Sequence, residues 1–334
     1  MTGRALLYCA GGGIGDSLVA TIVARALRSR YTRVDTLTLP HHRSTLERCG
    51  DVDEVLVDNN ETAAELATKI RSRSYDACVI TWATARAARI AREAEIPIRV
   101  GQARRLYSRE FTHRVVVRSE IGDVNSHWSE ILLDYARALD CDTATRIPSF
   151  VPTAADMSEA AKIDPVAPYI IVHPTNAVAP KRGNWPIQGW AALANALRDR
   201  FGAKVLISGS HSDKPINEGI VRHANVGGAN GVVSIAGELG IGGFGALAAR
   251  AKVFVGITTG SMHVAAAVGA PTIGIFPFQT DFPERWAPLG DRTGVVRASY
   301  PCHPGDTKES CPDYACIANL DVPRVMAAVS ALLT

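Results

Sequence analysis

The sequence predicts an α/β protein of two doubly wound, Rossmann-like domains facing a central cleft, and three observations carry that expectation. Short runs rich in Val, Ile and Leu alternate with helical stretches along nearly all of the 334 residues, as parallel strands do when helices cover both faces of their sheet. The alternation lapses across residues 145–168, where Pro148, Pro152, Pro165 and Pro168 mark a connecting segment. Each half also sends a strand through a small-residue turn straight into a helix: Leu6-Leu7-Tyr8-Cys9-Ala10 before Gly11-Gly12-Gly13-Ile14-Gly15-Asp16-Ser17, and the strand ending at Val255 before Gly256-Ile257-Thr258-Thr259-Gly260-Ser261. A chain of this length exceeds the usual single core. The expected division is 1–155 for an N-terminal domain, 166–320 for a C-terminal domain and 321–334 for a closing helix.

In order, strands are expected at 5–10, 33–39, 54–58, 77–81, 98–101 and 113–117, each a short run dominated by apolar and β-branched residues. Helices separate them at 17–30, 62–73, 84–93 and 126–139, where apolar residues recur at helical spacing. The proline-bearing segment holds only a short Ala-rich helical piece. The alternation then restarts with strand 169–173, helix 187–200, strand 204–208, helix 215–224 and strand 232–236. Helix 241–251, strand 252–255, helix 262–268 and strand 272–276 follow. The last helix, 322–333, has Asp321 as its cap and Pro323 in its first turn.

A hydrophobic fraction of 47% supplies a core for each half. A net charge of +3 gives no case for nucleic-acid binding, although an excess of Arg over Lys suits local phosphate contacts. The N-terminus shows no signal-peptide pattern and no run of about 18 apolar residues occurs. The expected location is cytoplasmic, with peripheral contact at the inner face of the membrane left open. Cys9, Cys49, Cys78 and Cys141 are scattered and read as small buried hydrophobes. Cys302, Cys311 and Cys316, with His303, cluster near the C-terminus but lack the tight pairs of a zinc site, so no metal site is expected.

The two strand-to-helix corners carry the candidate chemistry. A helix N-terminus presents unpaired N–H groups and the positive end of the macrodipole, so the corner at Ser261 suits an anion, and His263 adds a further donor in the first turn. At the other corner, Gly11 and Gly13 match part of a dinucleotide fingerprint, and Asp35 sits near the expected ribose-binding acid. Asp16 replaces the third glycine, however, and points a carboxylate at the place a pyrophosphate would occupy. That suits a general base; the alternative is an acid that only stabilises the helix start. A third segment, Ile170-Ile171-Val172-His173-Pro174-Thr175-Asn176, ends a strand with hydrogen-bonding side chains and is soon followed by Lys181-Arg182. Thr175, Asn176 and Lys181 together offer neutral donors and a cation for a phosphate, or else form a solvated basic loop.

Taken together, these segments resemble the ADP-heptose:lipopolysaccharide heptosyltransferases, glycosyltransferase family 9. Gly13-Ile14-Gly15-Asp16-Ser17-Leu18 resembles the family's N-terminal motif, and His173-Pro174-Thr175 with Lys181-Arg182 and Trp185-Pro186 its nucleotide-phosphate segment. Thr259-Gly260-Ser261-Met262-His263-Val264-Ala265 resembles its TGPMHLA-type motif, and residues 271–276 resemble the strand after it. Arg285-Trp286-Ala287-Pro288-Leu289-Gly290 and Cys311-Pro312 with Cys316 resemble its tail. The resemblance implies a GT-B fold, a metal-independent inverting mechanism, no cofactor and a nucleotide-sugar donor bound mainly by the C-terminal domain. By position, Asp16 matches the catalytic base, Thr175 and Lys181 match residues on the diphosphate, and Thr259, Gly260 and His263 match the donor-phosphate corner. Gly13, Gly15, Asn176, Thr258 and Ser261 complete the expected binding set, with Lys181 also expected to act in catalysis.

Three features depart from the family pattern: Thr258 replaces an Asp expected to contact the donor sugar, Gly183-Asn184 split a compact KRWP, and Ser261 replaces a proline. The function implied is transfer of a sugar, heptose by family default, from a nucleotide diphosphate, ADP favoured, to a hydroxyl of lipopolysaccharide core or another glycan or glycolipid. Two alternatives stand beside it: an NAD-dependent oxidoreductase using the glycine turn and Asp35, and a catalytically weakened nucleotide-sugar-binding protein.

Overall fold

The structure, a computed structural model, describes residues 2–163, 168–175, 185–226, 230–278, 282–298, 301, 311 and 314–334. Its contacts divide the chain into two units, Met1–Val151 and Pro152–Thr334. No helix among the described residues is long and apolar enough to cross a membrane.

In the first unit, β1 (Arg4–Tyr8) leads into α1 (Ile14–Leu27), then β2 (Arg33–Thr38), α2 (Arg43–Leu46), β3 (Val55–Val57) and α3 (Ala63–Arg71). After them come β4 (Ala77–Ile80), α4 (Ala85–Glu93), β5 (Ile98–Gln102), β6 (His113–Val115) and α5 (Trp128–Arg137). All neighbouring strands are parallel, in the order β3-β2-β1-β4-β5-β6. Apart from its first residue β1 is buried throughout, and Ala5 lies between Val34 and Ala77 in the register. That two-sided burial is why the strand reads as an unbroken apolar run. Helix starts follow local chemistry: Thr62 and Glu65 close a capping box on α3, and Thr84 accepts from the Ala87 N–H on α4.

The second unit opens with α6 (Ala154–Ala161), β7 (Tyr169–His173), α7 (Ile187–Phe201), β8 (Lys204–Ile207), α8 (Lys214–Ala224) and β9 (Val232–Ser234). It continues through α9 (Ile241–Ala248), β10 (Phe254–Ile257), α10 (Gly260–Ala267) and β11 (Thr272–Phe276). It closes with α11 (Pro283–Trp286), β12 (Thr293–Arg297), α12 (Ala315–Ala318) and α13 (Val322–Leu333). Its parallel sheet has the order β12-β11-β10-β7-β8-β9, the same winding as the first read from the other edge. In α/β sheets of this kind ligands bind beyond the carboxyl ends of the strands where the order reverses. Those points fall between β1 and β4 in the first unit and between β7 and β10 in the second.

The helical piece expected between the domains, α6, packs on α9. Glu159 of α6 accepts the Gly240 N–H at 2.9 Å and so caps α9 from outside, and Gly243 leaves the space its carboxylate needs. Strand β12 was not expected from the sequence. It is an edge strand paired only with β11, and its Val295 faces outward, so it lacks the apolar run of a central strand. Strand β10 lies two residues beyond the stretch expected at 252–255.

Candidate active site

At the first unit's reversal point, the chain leaves β1 through Gly11-Gly12-Gly13 and turns at once into α1. The helix begins at Ile14, three residues before the expected start, with Gly13 as its cap. Asp16 therefore stands in the first turn, and its Oδ2 accepts the Gly13 N–H at 2.7 Å. Gly12 has φ +70°, and a Cβ on it would lie 2.5 Å from the Asp16 carboxyl carbon, so this position needs glycine twice over. The Asp16 carboxylate is half-buried. Desolvation raises its pKa, while the Gly13 N–H and its own N–H pull it back down. The net result is a carboxylate more basic than an ordinary Asp, with one oxygen fixed on the Gly13 N–H.

Two residues that sequence reasoning missed hold this turn. His42 is fully buried, and its Nε2–H donates to the Gly12 carbonyl at 3.2 Å while Nδ1 faces the Thr38 hydroxyl at 3.3 Å. Burial lowers the His42 pKa, which keeps the ring neutral. Trp82, just past β4, packs so closely on Gly11 that a Cβ there would be 2.6 Å from its ring. Trp82 lies beside Trp128, with ring centroids 6.0 Å apart. No spacing in the sequence connects His42 or Trp82 to the glycines; only the sheet order does.

At the second unit's reversal point, the chain leaves β10 through Thr258-Thr259 and α10 begins at Gly260, two residues before the start expected at 262. Thr259 is the cap residue, yet its side chain makes no capping bond, and its buried Oγ1 has no hydrogen-bond partner among the described residues. Gly260 and Ser261 occupy the first helical positions, where backbone N–H groups have no partner within the helix. His263 lies in the same turn and is buried, as is Thr175 just beyond the end of β7. The corner thus gathers backbone donors, a hydroxyl and an imidazole at a positive helix end.

His173 has a different role from its neighbour Thr175. Its Nδ1 lies 3.0 Å from the Ser208 Oγ, its ring sits against Phe244 and Phe254, and burial pushes its pKa down to about 4, so it is a neutral core residue. Trp185 likewise packs edge-on against Trp190 in the core. Met262 of α10 seats its sulfur over Gly274, with Pro288 beside it, and Gly290 lies against the Ala266 carbonyl. The Arg285–Gly290 segment therefore braces the anion corner from behind. Asn176, Lys181 and Arg182 lie outside the described residues, as do Cys302 and His303. Cys316 is buried in the core, and no group of three or more potential metal ligands assembles among the described residues.

Asp35 does not serve a ribose. It is the third residue of β2, not its end, and it is completely buried. The Arg33 Nε donates to both its oxygens at 2.9 and 3.1 Å, the Tyr75 hydroxyl donates at 2.7 Å, and Arg4 adds an ion pair at 3.5 Å. Arg4 and Arg33 begin their strands, so this knot lies toward the amino edge, opposite the ligand-binding end.

Two parallel six-stranded Rossmann-like sheets in one chain, each with polar machinery at its reversal point, are the architecture of a GT-B glycosyltransferase. Residues 63–314 match the family model for glycosyltransferase family 9 (heptosyltransferase), and the chain belongs to that family of enzymes. This overturns the oxidoreductase alternative. The matched stretch begins beyond Asp16. A search of curated proteins finds no match. Among solved structures, ADP-heptose lps heptosyltransferase II of E. coli is 22% identical with a TM-score of 0.79, over 99% of this chain and 98% of that one. A glycosyl transferase family 9 protein from Veillonella parvula DSM 2008 is 16% identical with a TM-score of 0.84, over 99% and 97%. The E. coli heptosyltransferase WaaC with ADP is 17% identical with a TM-score of 0.72, over 98% and 99%. At these identities the likeness establishes the fold.

Proposed function

We propose that the protein transfers a sugar, heptose by family default, from an ADP-linked donor to a hydroxyl of lipopolysaccharide core or another surface glycan, with inversion at the anomeric carbon. The observation that carries this reading is the position of the two corners. The Asp16 turn and the Thr259–His263 turn each occupy the reversal point of their own sheet. In the proposed reaction the acceptor oxygen attacks the anomeric carbon and gives its proton to Asp16. The carbon–oxygen bond to the donor diphosphate breaks, and the departing phosphate gains negative charge. The N–H groups of Gly260 and Ser261, with Thr259, His263, Thr175, Asn176 and Lys181, stabilise that charge. Gly13 and Gly15 shape the backbone that carries the base. Transfer of radiolabelled sugar from a panel of ADP-, UDP- and GDP-linked donors tests this directly; hydrolysis or transfer from none of them would sink it.

A helix end and cationic side chains do here what a divalent ion does in other transferases, so activity is expected to persist in excess EDTA. Loss of activity that only added metal restores would overturn that mechanism.

Thr258 bears on which sugar is used. Its backbone N–H donates to the Ile275 carbonyl at 3.0 Å, which fixes the strand end while the side chain offers one hydroxyl and a methyl group. A carboxylate in its place would accept from two sugar hydroxyls, and a charged hydrogen bond is typically worth about 1.5–3 kcal/mol. The expected result is that the wild type binds ADP-L-glycero-D-manno-heptose less tightly than Thr258→Asp does, or prefers another sugar. If the heptose donor has the highest kcat/KM with the wild type and Thr258→Asp brings no gain, the substitution is neutral.

A further inference from the structure

We infer that the first unit carries a docking surface for an anionic lipid bilayer, formed by the loops that follow β5 and β6. Large apolar side chains stand out into solvent there: Leu106 is 95% exposed, Ile121 60%, Val124 53% and Val116 43%. Only one other large hydrophobic in this unit, Val151, is comparably exposed among the described residues. A cluster of this kind within nineteen residues is unusual on a soluble surface and marks an interaction site.

The segment is held firmly from behind. Arg105 is paired with Glu120, which joins the turn Leu106–Glu110 to the turn Arg118–Ile121. The Ala103 N–H donates to the Val115 carbonyl at 2.7 Å. Arg118 donates to Asp134 at 2.6 Å, to the Glu130 carbonyl at 2.8 Å and to Ser126 at 3.0 Å, anchoring the second loop on α5. The apolar side chains are thus presented by fixed backbone.

Charge selects the occupant. The acids of the segment are all taken up by arginines: Glu110 by Arg92 and Arg109, Glu120 by Arg105 and Asp123 by Arg118. Arg104 and Arg114 are exposed and form no ion pair among the described residues. Apolar knuckles rimmed by uncompensated arginines suit the headgroups and acyl boundary of an anionic membrane. A symmetric pairing of two copies through this face would set those arginines against each other.

The location gives the surface a purpose. The loops leave the carboxyl ends of β5 and β6, the same edge of the sheet from which the Asp16 turn leaves β1. The strands β1, β4, β5 and β6 are consecutive, so at about 4.8 Å per strand the loops root roughly 10–15 Å from the base. A glycan carried on a lipid would reach Asp16 from a bilayer docked there. The inference rests on the proposed glycolipid acceptor for this purpose only, since vesicle binding is measured without donor or acceptor.

Sedimentation of the full chain with phosphatidylcholine vesicles, with and without phosphatidylglycerol, tests it. The wild type should sediment with the anionic vesicles only. Arg104→Glu with Arg114→Glu should weaken this by about tenfold or more, because each basic residue near an anionic surface contributes roughly fivefold. Leu106→Asp with Ile121→Asp should abolish it. Absence of binding, binding indifferent to vesicle charge, or equal binding by all variants would overturn the inference. So would a wild-type dimer, seen by analytical ultracentrifugation, that Leu106→Asp converts to monomer. Transfer to a water-soluble acceptor is scored separately: transfer without vesicle binding defeats the docking surface alone, and vesicle binding without transfer defeats the transferase reading alone.

Discussion

Replacing Asp16 with asparagine is expected to lower turnover by about 100-fold or more while donor affinity holds. The substitution separates the two roles open to this residue. An asparagine oxygen can still accept the Gly13 N–H that Asp16 binds at 2.7 Å, so the helix start survives. What disappears is the proton acceptor. Near-normal turnover in Asp16→Asn would therefore reduce Asp16 to a helix-start residue. Burial raises the Asp16 pKa in the folded protein. A raised folded-state pKa contributes stability that is present below the unfolded pKa and lost as pH rises through the folded one. At neutral pH the buried charge thus gives the fold no support, and Asp16→Asn should melt no lower than the wild type. The acid limb of the kcat–pH profile should lie above the range of an ordinary aspartate and should vanish in the variant.

Lys181→Ala and His263→Ala should each weaken binding of a nucleoside diphosphate by roughly tenfold or more, read by titration calorimetry. A charge-assisted hydrogen bond to a phosphate is typically worth about 1.5–3 kcal/mol, and each change removes one donor. His263 is buried in the first turn of α10, whose cap residue Thr259 has a buried hydroxyl with no partner among the described residues. A buried donor without a partner is costly unless a ligand completes it. If both variants bind ADP as the wild type does, the phosphate site lies elsewhere.

The reach of sequence reasoning differs from residue to residue. The runs at β1, β7 and β11 were legible because central parallel strands are buried on both faces and leave no polar alternation. β12 escaped because an edge strand with an outward-facing valine carries no such run. The start of α1 was set too late because Gly13 and Gly15 are poor helix formers. In the folded chain Asp16 turns back onto the Gly13 N–H, which makes Gly13 the cap and brings Gly15 into the first turn. Asp35 was misread for the opposite reason: its distance along the chain suited a ribose, but the register places it beside Leu6, inside a knot of Arg33, Arg4 and Tyr75.

By itself the sequence determined the two strand–turn–helix corners, because a glycine- or threonine-rich turn between an apolar strand and a helix is local backbone geometry. Only the tertiary structure decided that both corners lie at the reversal points of their sheets. It also decided that His42, thirty residues away, would hold the Gly12 carbonyl, and that Trp82 would close on Gly11. Strand order, and with it every contact between those residues, is a property of long-range packing. No spacing along the chain encodes it.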